Sequence, residues 1–138
     1  GGKKEMGAGG LYIQIGPEHC GIYSGVYMPE KEELKRIRGL IAGDLKGFES
    51  VIRSEAFLKF FGTVKGEKNK RIDSVWMDAA AEQPLLYNKQ FYVEHTVDAE
   101  DTLRGNFDEY VVEVWKASLG FNQFIEPKVN YKSLGEVL

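Results

Sequence analysis

Cysteine is almost missing from this chain: Cys20 stands alone, so no internal disulfide can form, and a reducing compartment, the cytoplasm, is the expected location. Long apolar runs are missing too. None approaches the roughly 18 residues that a membrane-crossing helix needs, which excludes a helical membrane protein and any membrane partner of that kind. An excess of positive charge is also lacking. Eighteen lysines and arginines face 21 carboxylates, for a net charge of -3, so the chain as a whole exerts no pull on polyphosphate. That argues against a dedicated nucleic-acid binder and leaves only a local basic patch to consider. With two histidines and no C-x-x-C, H-x-H or H-E-x-x-H spacing, no metal and no other cofactor is expected. The chain opens on Gly1-Gly2-Lys3-Lys4 rather than on methionine, which reads as a fragment or a processed chain.

What is present suits one globular domain. A chain of 138 residues, 43% of them hydrophobic, can bury roughly two thirds of its unfolded surface in a single core. Residues 1–10 hold five glycines and two lysines without apolar periodicity, the pattern of a flexible entry. From Leu11 the order changes: Leu11, Ile13 and Ile15 alternate with Tyr12 and Gln14, as in a half-buried strand. Gly16-Pro17-Glu18-His19 supplies a turn, and alternation resumes from Cys20 to Met28. Ile22, Ser24, Val26 and Met28 then share one face, with Gly21, Tyr23, Gly25 and Tyr27 on the other. The hairpin over 11–28 thus has an aliphatic face and a tyrosine-glycine face.

Pro29 presets a helical backbone angle, and Glu30, Glu32 and Glu33 place negative charge at the positive end of a helix that should run to about Ala42, with Gly43 as a left-handed cap. Asp44 should cap a second helix carrying Leu45, Phe48, Val51 and Ile52. Phe57, Leu58, Phe60 and Phe61 suggest a third, short helix pressed into the core. Lys65 to Arg71 is polar and rich in breakers, so an exposed loop or hairpin tip is expected. Ala79 to Tyr87 has helical composition, started or interrupted by Pro84. A strand follows near 90–97, with Phe91, Val93 and His95 on one face and Gln90, Tyr92 and Glu94 on the other. Asn106 with Glu109 resembles an N-cap pair opening a late helix, and Asp98 with Asp101 resembles another. Residues 127–138 read as a loosely packed tail. The fold class is α+β: a small, mainly antiparallel sheet with several helices packed on its aliphatic face.

Three groups of side chains are candidates for a site. Tyr12, Gln14, Tyr23, Tyr27, Gln90, Tyr92 and Glu94 form a polar-aromatic sheet face that could bind a ligand, since tyrosines both stack and hydrogen-bond and glycines admit a close approach. The competing explanation is a face covered by helices. Lys65, Lys68, Lys70 and Arg71, with Lys3 and Lys4 as neighbours, could hold an anion, against the simpler alternative of a solvated loop that also contains Glu67. His19, Cys20 and His95, with Glu18 and Glu94 beside them, would serve a metal or a thiol nucleophile only if the turn made them converge. The acidic pairs Glu32–Glu33, Glu100–Asp101 and Asp108–Glu109 fall at helix starts, where carboxylates stabilise the dipole. Gly7-Ala8-Gly9-Gly10 precedes a strand instead of linking strand to helix, which is the wrong context for a phosphate loop.

The succession GGKK, GAGGLYIQI, GIYSGVYMPE, ELKRIRGLI, LLYNKQFYVEH and FDEYVVEVWKASLGFNQFI resembles domain-of-unknown-function family 2461, conserved hypothetical proteins of bacteria and fungi. The resemblance covers roughly residues 1–126. It implies an α+β fold without an assigned activity, and a chain that is the C-terminal part of a longer family domain. Family members carry an upstream helical region and a basic stretch ending in Thr-Pro-Tyr-Lys, and no catalytic residue can be carried over from there.

Two functions follow. The preferred reading is a soluble binding or scaffold domain with an unidentified small ligand, or with the missing N-terminal segment or a second copy as partner. The alternative is an enzyme acting on a phosphate-containing or other anionic substrate, its active groups shared with the upstream segment. A deep cleft at Tyr23, Tyr27, Tyr92 and Glu94 would favour the enzyme, and a flat, covered face the scaffold.

Overall fold

The computed structural model describes residues 11–15, 20–103 and 105–128. The expectations for residues 1–10, for the turn with His19 and for the tail from 129 onward lie outside these. Three strands, β1 (Leu11–Ile15), β2 (Cys20–Val26) and β3 (Phe91–Val97), form an antiparallel sheet in the order β1-β2-β3. The register sets Tyr12 opposite Tyr23 and Tyr23 opposite Glu94, with Ile13, Ile22 and His95 aligned on the other face. Period-2 alternation therefore works as expected: Leu11, Ile22, Val26, Phe91, Val93 and Val97 are buried on the aliphatic side.

Around the sheet come α1 (Lys31–Gly43), α2 (Leu45–Ile52), α3 (Glu55–Phe60), α4 (Met77–Glu82), α5 (Ala99–Thr102) and α6 (Phe107–Ile125). The fold is α+β. The long α6 lies across β2 on the aliphatic face, with Phe121 and Ile125 fully buried, and α1, α2 and α3 pack against α6. One polar thread crosses this layer. Asn122 Nδ2 donates to Ser24 Oγ at 2.7 Å and to Ser118 Oγ at 3.1 Å, and Ser118 Oγ donates to the Trp115 carbonyl at 2.7 Å. A second tie joins α1 to the end of α6, where Arg36 donates to the Ile125 carbonyl at 2.8 Å and to Glu126 Oε1 at 2.7 Å.

Several local expectations need correction. Gly43 stays helical instead of adopting the left-handed conformation, because Asp44 closes α1 and opens α2 at once. Its backbone N–H reaches the Ile41 carbonyl at 3.2 Å and its Oδ1 accepts from Gly47 N at 3.0 Å. Asn106 precedes α6 without a side-chain cap, since its backbone (φ -110°, ψ 24°) lacks the extended geometry a cap needs. Met28 is exposed because β2 ends at Val26, and Leu58 is exposed because α3 turns Phe57 inward instead. Pro84 resolves the ambiguous segment by starting a 3-10 turn, Pro84–Tyr87, after α4 has ended.

The largest difference concerns the basic stretch. The stretch is exposed, as expected of a loop or hairpin tip, but residues 65–69 also run antiparallel along the outer edge of β3. Lys65 N donates to the Tyr92 carbonyl at 2.7 Å and Tyr92 N to the Lys65 carbonyl at 3.2 Å, while Lys89 N and Asn69 N bond the Glu67 and Tyr87 carbonyls at 2.7 Å each. Gly66 makes this approach feasible. A Cβ there would lie 2.2 Å from the Gln90 carbonyl oxygen, so only glycine lets the two backbones come this close.

Candidate functional site

The sheet face opposite the helical layer carries a continuous polar-aromatic row. Tyr12 and Tyr23 stack at 5.1 Å between ring centroids with a 31° tilt, and Tyr23 donates to the Glu94 carboxylate next to it. Glu94 Oε1 also accepts from Lys65 Nζ at 2.9 Å, so the row runs Tyr12–Tyr23–Glu94–Lys65 from β1 to the edge segment. At the end of the sheet Tyr27 meets Tyr92 edge-on at 5.1 Å and 64°. Tyr12, Tyr23, Tyr92 and Glu94 are half-buried, while Tyr27 is 51% exposed. Gln14 lies opposite Gly21 in the row above, and Gln90 Oε1 accepts from the Glu67 backbone N–H at 3.1 Å. Tyr12, Tyr23, Tyr27, Tyr92 and Glu94 are thus brought together along the face, whereas Gln14 lies at the far end of the sheet, level with Thr96, and Gln90 is engaged with the edge segment. At Gly25, where a ligand or another backbone is expected to approach closely, it is the backbone of β3 that does so.

The electrostatics of the row are those of a satisfied surface. Burial, then the hydrogen bond to Glu94 and its negative charge, push the Tyr23 phenol up to about 12. A phenol so shifted remains protonated through the neutral range and acts as a donor. Because the folded state holds this proton more tightly than the unfolded chain, stability is expected to fall as pH rises from the ordinary value of 10.0 toward about 12. Ultraviolet titration of tyrosine ionisation should show one late-ionising phenol, which Glu94→Gln brings down and Tyr23→Phe removes. If Tyr23→Phe leaves the titration curve and the alkaline stability slope unchanged, the Tyr23–Glu94 bond is not there.

The four basic candidates divide into two pairs. Lys65 belongs to the tyrosine row, and Lys68 Nζ donates to Asn88 Oδ1 at 3.0 Å and to the Pro84 carbonyl at 3.3 Å. Lys70 and Arg71 instead line a hollow of about 290 Å³ with Ile72, Met77 and Tyr87. No sequence pattern joins Ile72, Met77 and Tyr87; backbone pairing of residue 69 with Tyr87 and the packing of α4 on the Pro84–Tyr87 turn bring them together.

Cys20 is buried opposite Val97, where desolvation pushes its thiol up and so keeps it protonated. His95 faces Ile22 two positions along the ladder. Its Nδ1 lies 2.9 Å from the Phe60 carbonyl and its Nε2 is bonded to the Tyr110 hydroxyl. A carbonyl only accepts, so Nδ1 carries a proton toward Phe60. Both nitrogens are thereby occupied. Among the described residues no three or more His, Cys, Asp or Glu side chains converge as metal ligands. No described helix is long and apolar enough to cross a membrane.

Fold and surface together define a small α+β domain with a polar-aromatic sheet face. Within that class, the chain belongs to DUF2461, a family of conserved hypothetical proteins whose model matches residues 1–124. No curated protein and no solved structure matches it.

Proposed function

We propose that this chain is a non-catalytic binding domain that docks a polypeptide on its tyrosine face. The observation that carries the reading is the Tyr12–Tyr23–Glu94–Lys65 row, in which aromatic area is presented on a sheet whose charges are compensated within the row. Tyrosine supplies large contact area at low entropic cost together with a hydroxyl for hydrogen bonding, which is why it is enriched where proteins meet. A compensated charge pair favours neutral polypeptide over polyphosphate. The titratable phenol within the row supports binding over catalysis, since Tyr23 is shifted away from activation at neutral pH.

Selection of a random peptide library against the chain tests this. Enriched peptides are expected to lose at least about tenfold in affinity on Tyr27→Ser, and again on Tyr12→Ser, while circular dichroism reports an intact fold. A selection that enriches nothing, or peptides indifferent to both substitutions, would overturn the reading.

A further inference from the structure

We propose that the hollow among Lys70, Arg71, Ile72, Met77 and Tyr87 is a binding site for a small organic anion with a flat apolar body. Its cations stand ready for an anion. Within the basic run Lys65 and Lys68 are held by acceptors, whereas Lys70 and Arg71, which line the hollow, have no hydrogen-bond or ion-pair partner among the described residues. Neighbouring cations repel each other, and a bound anion relieves that repulsion. The guanidinium also offers a planar fork that matches a carboxylate or phosphate.

The rest of the lining fits the flat body. Ile72, the Tyr87 ring and the Met77 thioether are apolar and polarisable, suited to a ring instead of a bare ion, and Met77 is itself more than half exposed. The volume, about 290 Å³, lies at the small end of ligand pockets, enough for one ring and its charged group but not for a dinucleotide.

The backbone of the walls is tied down by hydrogen bonds within the chain. Asn69 N bonds the Tyr87 carbonyl at 2.7 Å. From behind, Arg38 donates to the Leu86 carbonyl at 2.9 Å and to the Asn88 carbonyl at 3.0 Å. On the far side, Trp76 N closes its turn on the Asp73 carbonyl at 3.0 Å. A site whose backbone is already tied down spends little ordering entropy on binding.

The hollow is distinct from the tyrosine face, so neither proposal depends on the other. Amide spectra of the 15N-labelled chain, titrated with phenyl phosphate, benzoate, inorganic phosphate and benzyl alcohol, test it. Phenyl phosphate or benzoate should give saturable shifts at residues 70–72, 77 and 87, with the tighter of the two identifying the head group. Inorganic phosphate and benzyl alcohol, each lacking half of the ligand, should bind at least about tenfold more weakly. Lys70→Gln with Arg71→Gln should reduce aromatic-anion affinity about tenfold or more while the other amides keep their positions, and Lys46→Gln on α2 should leave it unchanged. The proposal fails if neither aromatic anion saturates by about 10 mM, if the double variant binds as well as the parent, or if inorganic phosphate binds as tightly as phenyl phosphate.

Discussion

Gly25→Ala is expected to destabilise the domain by about 3–5 kcal/mol, a large share of the roughly 5–15 kcal/mol that a domain of this size has in total. Gly25 has φ of +105°, a region that side-chain-bearing residues rarely adopt. The strain of forcing alanine there costs about 1–3 kcal/mol by itself. Sterics add the rest: a Cβ would sit 2.4 Å from the Phe91 carbonyl oxygen, 2.8 Å from Tyr92 Cα and 3.0 Å from the Phe121 ring. Two of these three atoms are backbone in the neighbouring strand, which cannot swing aside as a side chain can. Gly43→Ala is the internal control. Gly43 ends α1 in a helical conformation with open space around it, so alanine there should be neutral or stabilise by up to about 1 kcal/mol. Urea unfolding of both variants measures the contrast, and a Gly25→Ala variant within about 1 kcal/mol of the parent would mean that β2 and β3 do not approach as described.

The sheet and its two faces were legible from local pattern because strand side chains alternate with period 2, so Leu11, Ile13, Ile22 and Val26 separate from Tyr12, Tyr23 and Tyr27 without any knowledge of partners. The match of Tyr92 and Glu94 to the tyrosine face followed in the same way. Which residue sits opposite which did not, because register depends on a second strand some 70 positions away, as in the pairing of Tyr23 with Glu94. The basic stretch reads only as an exposed loop or hairpin tip, without its pairing, for a related reason. Its bonds to β3 are made by backbone atoms of Lys65, Glu67 and Asn69, and backbone atoms carry no sequence signal. Gly66 held the only clue, and a glycine among polar residues reads as loop until the Gln90 carbonyl is seen 2.2 Å from where its Cβ would be. Once the edge is paired, Lys65 is drawn to Glu94, while Lys70 and Arg71 extend past the last ladder bond toward Tyr87. One run of charge in sequence thus serves two surfaces in space. Arg38 was invisible for the complementary reason, since its two acceptors are main-chain carbonyls of Leu86 and Asn88, which any residue types would provide.

Phe121→Ala is the second large effect, about 3–5 kcal/mol, from lost transfer free energy and the cavity left behind. The Phe121 ring is fully buried on the inner face of α6, 6.1 Å from the Phe57 ring and directly against Gly25. The surroundings cannot collapse into the void, because β2 is hydrogen-bonded on both sides, to β1 and to β3, and so cannot move toward α6. Phe124, three residues on, is only half-buried beside Phe48, and Phe124→Ala should cost about half as much. In urea, the midpoint for Phe121→Ala should fall with the slope unchanged, as for a loss of packing in the folded state. Because Phe121 touches the site of the Gly25 substitution, the pair offers a stricter test than either alone. Removing the ring relieves only the softest of the three contacts that an alanine at position 25 would make and leaves the clash with Phe91 and Tyr92. The double variant should therefore recover no more than about 1 kcal/mol relative to the sum of the two. A larger recovery would mean that the ring, and not the β3 backbone, is what requires glycine at position 25.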